Sequence, residues 1–360
     1  LAMQRFKHLL LLFTLVSIPV FGQEVAIQDD IAEAERVVES YFYENEIPGM
    51  SVTVYRDDEI IWSRGFGFSD LSTRTPVSPD ETLFRVGSVS KTYTAAAVGL
   101  LVLQGEMELN QSIHTYVPNF PEKKYDFTVE EVAGHLAGFR HYRDNEFMST
   151  VRYNTVTAGL EIFKEDTLLF EPGTSYSYSS YGWNLVSAAI EGASGEEFIP
   201  FMETEVFQAL EMNNTMPDYA YRDIPSRTKF YTYVDGENEE APYVDNSYKW
   251  AGGGFLSTTE DMIKFGKAHL STNFLDQQTL DKLMEPLTTD DGETTNYGVG
   301  WQTITDTEGN IWKGHSGGSV GGSTMFLMHL ENEVIIAFAI NRSNAPMNDL
   351  RNELAKIFIE

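Results

Sequence analysis

The chain of 360 residues contains no cysteine. Disulfides, a thiol nucleophile, thiolate-bound zinc and a lipid anchor on Cys are therefore excluded. Basic residues are scarce: 25 Lys and Arg stand against 54 Asp and Glu, a formal net charge of −29. Such a surface repels phosphate backbones and anionic membranes, so nucleic acid is not expected as a partner. The acids are spread along the chain, which reads as a solvated surface and not as a binding tail. No phosphate-binding loop or dinucleotide fingerprint occurs. The seven histidines form no His-Glu-x-x-His, so no metal or cofactor is expected. Asp235-Gly-Glu-Asn-Glu-Glu240 lacks the spacing of a calcium loop and reads as a solvated turn. Internal repeats and low-complexity tracts are missing too.

The one long apolar run lies at the beginning. Arg5 and Lys7 precede Leu9–Phe21, and Gly22 precedes a plausible cleavage point. The run is short for a membrane span and too continuously apolar for a mitochondrial transit peptide. Residues 1–22 are accordingly expected to be a signal peptide, against the alternative of a retained anchor. Residues 23–360 are expected to be an exported unit, periplasmic or secreted, with no stable membrane span after cleavage. Loss of Arg5 and Lys7 would bring the charge to about −31. Roughly 338 residues remain, enough for a core that needs no disulfide.

Periodicity then divides the chain. Ile31, Ala34, Val37, Val38 and Tyr41 mark a helix over 27–44. Met50–Tyr55 and Ile60–Phe68 read as strands of a hairpin turning at Arg56–Glu59. From about 104 to 250, short helical patterns alternate with aromatic-rich loops. Thr128-Val-Glu-Glu131 and Ser257-Thr-Thr-Glu260 have capping-box spacing. Strands are expected at 297–302, 310–314, 323–330 and 334–340, and a closing helix at 348–357. The pattern is that of one α/β (α+β) unit, formed by 24–103 and 251–360, with a mainly helical insert at about 104–250.

Ser88-Val-Ser-Lys91 precedes an apolar run, Thr92–Leu103, that reads as a buried helix. Residues three apart share a helix face, about 5–6 Å apart at Cβ. A serine hydroxyl is a poor nucleophile until a neighbouring base takes its proton, and a desolvated lysine is such a base. The motif alone is weak, and it recurs as Ser226-Arg-Thr-Lys229. That copy follows Pro225 and leads into a strand-like segment, so no helix aligns it. Tyr178-Ser-Ser180 lies between Glu171-Pro-Gly-Thr174 and a helix beginning at Tyr181. A phenol there can relay protons, its pKa drawn below about 10 by a nearby ammonium group. His315-Ser-Gly317-Gly318 follows a strand, and its glycines permit close approach of a substrate and free N–H groups for an anion. The amides of Ser88 and Gly318 are the candidate oxyanion donors. His135 and His141 read as loop residues beside the site.

Ser-x-x-Lys, then Tyr-x-Ser, then His-x-Gly, in this order, resemble the serine β-lactamase and penicillin-binding-protein superfamily, in its class C-like, S12-peptidase branch. Phe84–Lys91, Glu171–Thr174, Ala251–Thr258 and Gly314–Gly318 extend the resemblance over most of the chain. Tyr116–Glu122 and Gly134–Tyr142 resemble the mitochondrial serine β-lactamase-like subgroup and its bacterial relatives. The resemblance implies an antiparallel sheet flanked by helices. It assigns Ser88 as nucleophile, Lys91 as its base and Tyr178 as proton shuttle. Ser180, His315, Gly317 and Gly318 would line the substrate and oxyanion sites.

Two departures shape the expected chemistry. Ser180 stands where typical β-lactamases carry Asn, and His315 where they carry Lys. A histidine of pKa near 6.5 is mostly neutral at about pH 7.5. An activity change near that pKa is expected if its charge matters. Both departures move the expected substrate from β-lactams towards a small peptide or ester. A serine hydrolase, first of all a peptidase, is expected. An esterase or weak β-lactamase of the same fold is the alternative. The resemblance also admits a homo-oligomer or filament-forming scaffold, or a penicillin-binding sensor, with vestigial activity.

Overall fold

A computed structural model describes residues 19–359. The expected leader, apart from residues 19–22, lies outside the described residues. A helix runs Pro19–Glu44 and covers the expected 27–44 segment.

The centre is a seven-stranded antiparallel sheet. Its order is Thr75–Pro76, Glu59–Asp70, Gly49–Arg56, Val334–Ile340, Gly322–His329, Ile311–Ser319, Gln302–Thr305. The two ends of the chain thus meet in mid-sheet, where Met50 pairs with Ile340 and Val52 with Phe338. The first hairpin turns through Asp57 and Asp58, at φ 55° and 69°. Two left-handed residues give the twist that a two-residue hairpin needs.

Both faces of the sheet are buried, which explains why Val334–Ile340 is apolar throughout. Val334, Ile336, Phe338 and Ile340 pack with Trp62, Leu327, Ala34, Val38 and Phe358, under the helices Pro19–Glu44 and Asn348–Ile359. Ile335 and Ala337 face the opposite way, into a core with Phe265, Trp301 and the helix Ser90–Gln104. Each large aliphatic side chain so buried contributes about 1.5–3 kcal/mol.

The expected fold class is the one observed. Several boundaries differ. Tyr297–Gln302 is a tight loop, not a strand: Gly298 N–H donates to Trp301 O, and Gly300 takes φ 81°. The edge strand begins only at Gln302. The strand expected to stop at Gly314 continues to Ser319 and carries His315, Gly317 and Gly318 itself. Between 104 and 250 the helix Ser180–Ser194 is the longest element, amid short helical turns, loops and a hairpin Tyr231–Val234/Glu237–Glu240. The turn of that hairpin is Asp235-Gly236. The second Ser-x-x-Lys begins in a turn, where Arg227 N–H donates to Ile224 O, and runs on without a helix: Thr228 N–H donates to Leu83 O and Lys229 N–H to Ser69 O.

Candidate active site

Gly87–Val89 forms a 3-10 turn that runs directly into the helix Ser90–Gln104. Ser88 therefore sits just ahead of the α-helix, three residues before Lys91 and on the face that this spacing shares. Lys91 Nζ stands 3.1 Å from Ser88 Oγ. The lysine is fully buried, whereas Ser88 is partly open.

Lys91 has two further partners. Its Nζ donates to Gly252 O at 2.6 Å and to Ser180 Oγ at 3.1 Å. A neutral amine has two N–H groups and one lone pair. With both N–H groups so used, the lone pair is left for the Ser88 proton. Burial lowers the Lys91 pKa well below its usual value, with Lys249 as second cause. The free amine is thereby favoured.

The Tyr178 hydroxyl donates to Ser88 Oγ at 2.8 Å. Its ring lies 4.9 Å from Lys91 Nζ. The expected lowering of the Tyr178 pKa does not hold. Burial dominates and pushes it up, against the hydrogen bond to Ser88. Tyr178 is a neutral phenol that donates.

Two imidazoles hold the Tyr178 turn. Ser179 N–H donates to His135 Nδ1 at 3.1 Å, and Ser180 N–H to His141 Nδ1 at 3.2 Å. The Ser179 hydroxyl donates to Arg140 O and caps the helix by accepting from Gly182 N–H. His135 and His141 thus lie beside the site as read from the sequence, with a role the sequence did not show. Burial first, and Lys91 second, lower the pKa of both rings.

On the opposite wall the Ser88 turn presses against the glycine strand. A Cβ on Gly317 would meet Val86 O at 2.0 Å, and one on Gly87 would meet Gly318 N at 2.8 Å. Gly87 also takes φ 51°, which favours glycine. A Cβ on Gly318 meets nothing within 4 Å, so open space adjoins that residue. Ser316 N–H points out of the sheet to Gln302 Oε1. Alternation along the strand carries the Gly318 amide to the same edge.

His315 differs from its expected role. Its Nδ1 lies 2.6 Å from Ser316 O, which can only accept, so Nδ1 carries the proton. Its Nε2 then accepts from the Tyr297 hydroxyl at 2.9 Å. Burial, and secondarily Lys91, push its pKa down to about 3. The ring is neutral and both nitrogens are occupied, so it offers no cation to a substrate carboxylate.

Three participants escaped the sequence. Tyr297 sits in Tyr297-Gly-Val-Gly-Trp301, where the glycines signal a loop but not its target. Gly252 contributes only a carbonyl. Lys249 is a lone lysine before Trp250, with no spacing to mark it. Among the described residues, no group of three or more His, Asp or Glu could hold a metal, and no helix is long and apolar enough to cross a membrane.

The chain is similar to known proteins in sequence and in fold. The human mitochondrial serine beta-lactamase-like protein LACTB is 28% identical over 386 residues, covering 80% of this chain and 70% of that protein. A D-aminopeptidase of Gluconobacter oxydans is 26% identical, covering 81% of this chain and 55% of that protein. The octameric penicillin-binding protein homologue of Pyrococcus abyssi superposes with a TM-score of 0.80 at 22% identity, over 92% of this chain and 77% of that one. The sequence model of the Beta-lactamase family matches residues 34–358, and the chain belongs to that family.

Proposed function

We propose that the chain is a serine hydrolase that cleaves peptide or amide bonds through an acyl-enzyme on Ser88. The observation that carries this reading is the placement of Ser88 Oγ between Lys91 Nζ at 3.1 Å and Tyr178 Oη at 2.8 Å. Ser88 Oγ attacks the substrate carbonyl while its proton passes to Lys91. The carbonyl oxygen becomes an oxyanion facing the amides of Ser88 and Gly318. As the C–N bond breaks, the leaving nitrogen takes a proton through Tyr178, which recovers one from Lys91. Water then attacks the ester carbonyl, gives its proton back along the same pair, and Ser88 leaves with its hydroxyl restored.

Within this class a peptidase is the first reading. The D-aminopeptidase among the relatives supports it. The neutral, fully bonded His315 argues against selection for the carboxylate of a β-lactam. An esterase or a weak β-lactamase is the alternative.

The test is labelling with a fluorophosphonate probe, run beside a panel of p-nitrophenyl esters, D- and L-aminoacyl amides and nitrocefin. Ser88→Ala should abolish both labelling and turnover. Persistent labelling of that variant would remove Ser88 from the mechanism. Turnover of esters with none of amides would select the esterase. Self-association is a separate proposal, supported by the likeness to an octameric homologue. Light scattering on the eluting protein decides it.

A further inference from the structure

Lys249 ends the 3-10 turn Asn246–Lys249, just before the helical turn Trp250–Gly253 whose Gly252 carbonyl binds Lys91. Its side chain adjoins the site: a Cβ on Gly253 would stand 3.8 Å from Lys249 Cδ and 3.7 Å from the Gly87 carbonyl carbon. The residue is 2% exposed. Among the described residues its amine has neither a hydrogen-bond acceptor nor a carboxylate partner. It has three rings instead: Phe147 at 4.2 Å, Tyr248 at 5.3 Å and Tyr142 at 5.5 Å from Nζ to centroid.

The two buried amines are thus provided for differently. Ring faces attract a cation and offer a free amine nothing comparable. Lys91 faces one ring, Tyr178 at 4.9 Å, but it also has acceptors for two N–H groups and a hydroxyl for its lone pair. Two ammonium groups on neighbouring buried side chains repel, so they do not both keep their protons easily. We propose that Lys249 is a positioning residue for proton transfer: its ammonium, held in the aromatic box, keeps Lys91 as the free amine that accepts the Ser88 proton. This rests on the reading of Ser88 and Lys91 as nucleophile and base.

The other groups facing the two lysines are neutral or already paired, and Asp218, bound to Arg85, also acts on Lys249. His135, His141 and His315 are held neutral by burial. Tyr142, Tyr178 and Tyr248 are phenols whose pKa burial raises. Arg85 is paired with Asp218 at 2.7 Å, and Glu146 with Arg140 at 2.7 Å. Burial and then Arg85 lower the Lys249 pKa to about 7, against Asp218. The ring faces act with Asp218 in favour of the cation.

The experiment is the rate of fluorophosphonate labelling of the full chain against pH, from 5 to 10. It compares the natural protein with Lys249→Met and Lys249→Arg. Removing the positive charge raises the affinity of Lys91 for its proton. The acid limb of Lys249→Met should therefore move to higher pH by about one unit or more, roughly a tenfold loss of rate on that limb. Lys249→Arg should keep the limb in place. An unmoved limb in Lys249→Met, whatever its overall rate, overturns the proposal. If Lys249→Met does not fold, Phe147→Leu takes its place, with a smaller shift in the same direction expected and an unmoved limb counting against the proposal. Failure of the natural protein to label at any pH overturns the Ser88 reading instead, and this one with it.

Discussion

The Tyr297 hydroxyl stands 2.9 Å from His315 Nε2, and that bond occupies the last free nitrogen of the ring. The Tyr297 pKa is raised well above its usual value by burial, so the phenol is a neutral donor. His315 therefore orders the wall of the site and carries no charge there. Nitrogen-15 NMR of the imidazoles should find His315 in one neutral tautomer, protonated at Nδ1, from about pH 5 to 8. An imidazolium signal in that range would restore the charged role expected from the sequence. Tyr297→Phe leaves Nε2 buried and unpaired. It should lower stability by about 1–3 kcal/mol, read as a shift of the urea midpoint.

Acid should destabilise the protein earlier than its carboxylates alone would suggest. His315 and His269 are both buried, and burial lowers their pKa values to about 3 and about 4. In the unfolded chain both titrate near 6.5. Below that pH the unfolded chain takes up protons that the folded chain refuses. Their contribution to stability is complete above about pH 6.5. It falls below that by about 1.4 kcal/mol per pH unit and per ring. Unfolding in urea at pH 7.5, 6 and 5 measures the slope. His269 lies away from Ser88, packed on Phe265 and Trp301, so His269→Phe should remove one ring's share. An unchanged slope in that variant would refute this account.

The two adjacent glycines should respond oppositely to a methyl group. Gly317→Ala drives Cβ into the Val86 carbonyl, a backbone atom that cannot rotate away. A loss of about 3 kcal/mol is expected, of the order of an overpacked core. Gly318→Ala enters open space, and its stability should stay within about 0.5 kcal/mol of the natural protein. The new methyl would narrow the groove beside Ser88, so kcat/KM should fall all the same. Thermal melts and steady-state kinetics on the pair separate the two effects. A stable Gly317→Ala would contradict the packing of the Ser88 turn against the strand.

Tyr178→Phe keeps the ring and removes the hydroxyl that donates to Ser88. A fall in kcat of about a hundredfold to ten-thousandfold is expected, the usual weight of a positioned proton-transfer group. The raised pKa keeps the phenol neutral well beyond physiological pH. No loss of rate on the alkaline side up to about pH 9 should therefore trace to this residue. Retention of full activity in the variant would remove Tyr178 from the proton path.

Parts of the fold were readable because they depend on neighbours in sequence. The capping box at Thr128 and Glu131 forms as its spacing predicts. The second box slips by one residue: Thr258 accepts from Asp261 N–H, while Glu260 accepts from Ser63 of the strand Glu59–Asp70. A long-range partner took Glu260 from the local pattern. The same cause hid the 297–302 loop. Its apolar spacing suits a strand, but Val299 N–H donates to Leu283 O outside the sheet.

The site divides in the same way. The pairing of Ser88 with Lys91, three residues apart, was legible from one turn of helix geometry, and so was the absence of a helix around Ser226 and Lys229. The order of Ser88, Tyr178 and His315 pointed to a common site through family resemblance. Their protonation was not legible. Tyr178 was expected to be acidified and is not; His315 was expected to titrate near neutrality and is held neutral far below it. Nothing in the sequence marks Lys249. A pKa depends on the water excluded from a group and on charges within a few ångströms. In this chain those charges and partners lie far away in sequence: Ser180 and Gly252 around Lys91, Tyr297 against His315, Phe147 against Lys249. Sequence thus determined which groups could do chemistry here, and folding alone decided which of them carry protons.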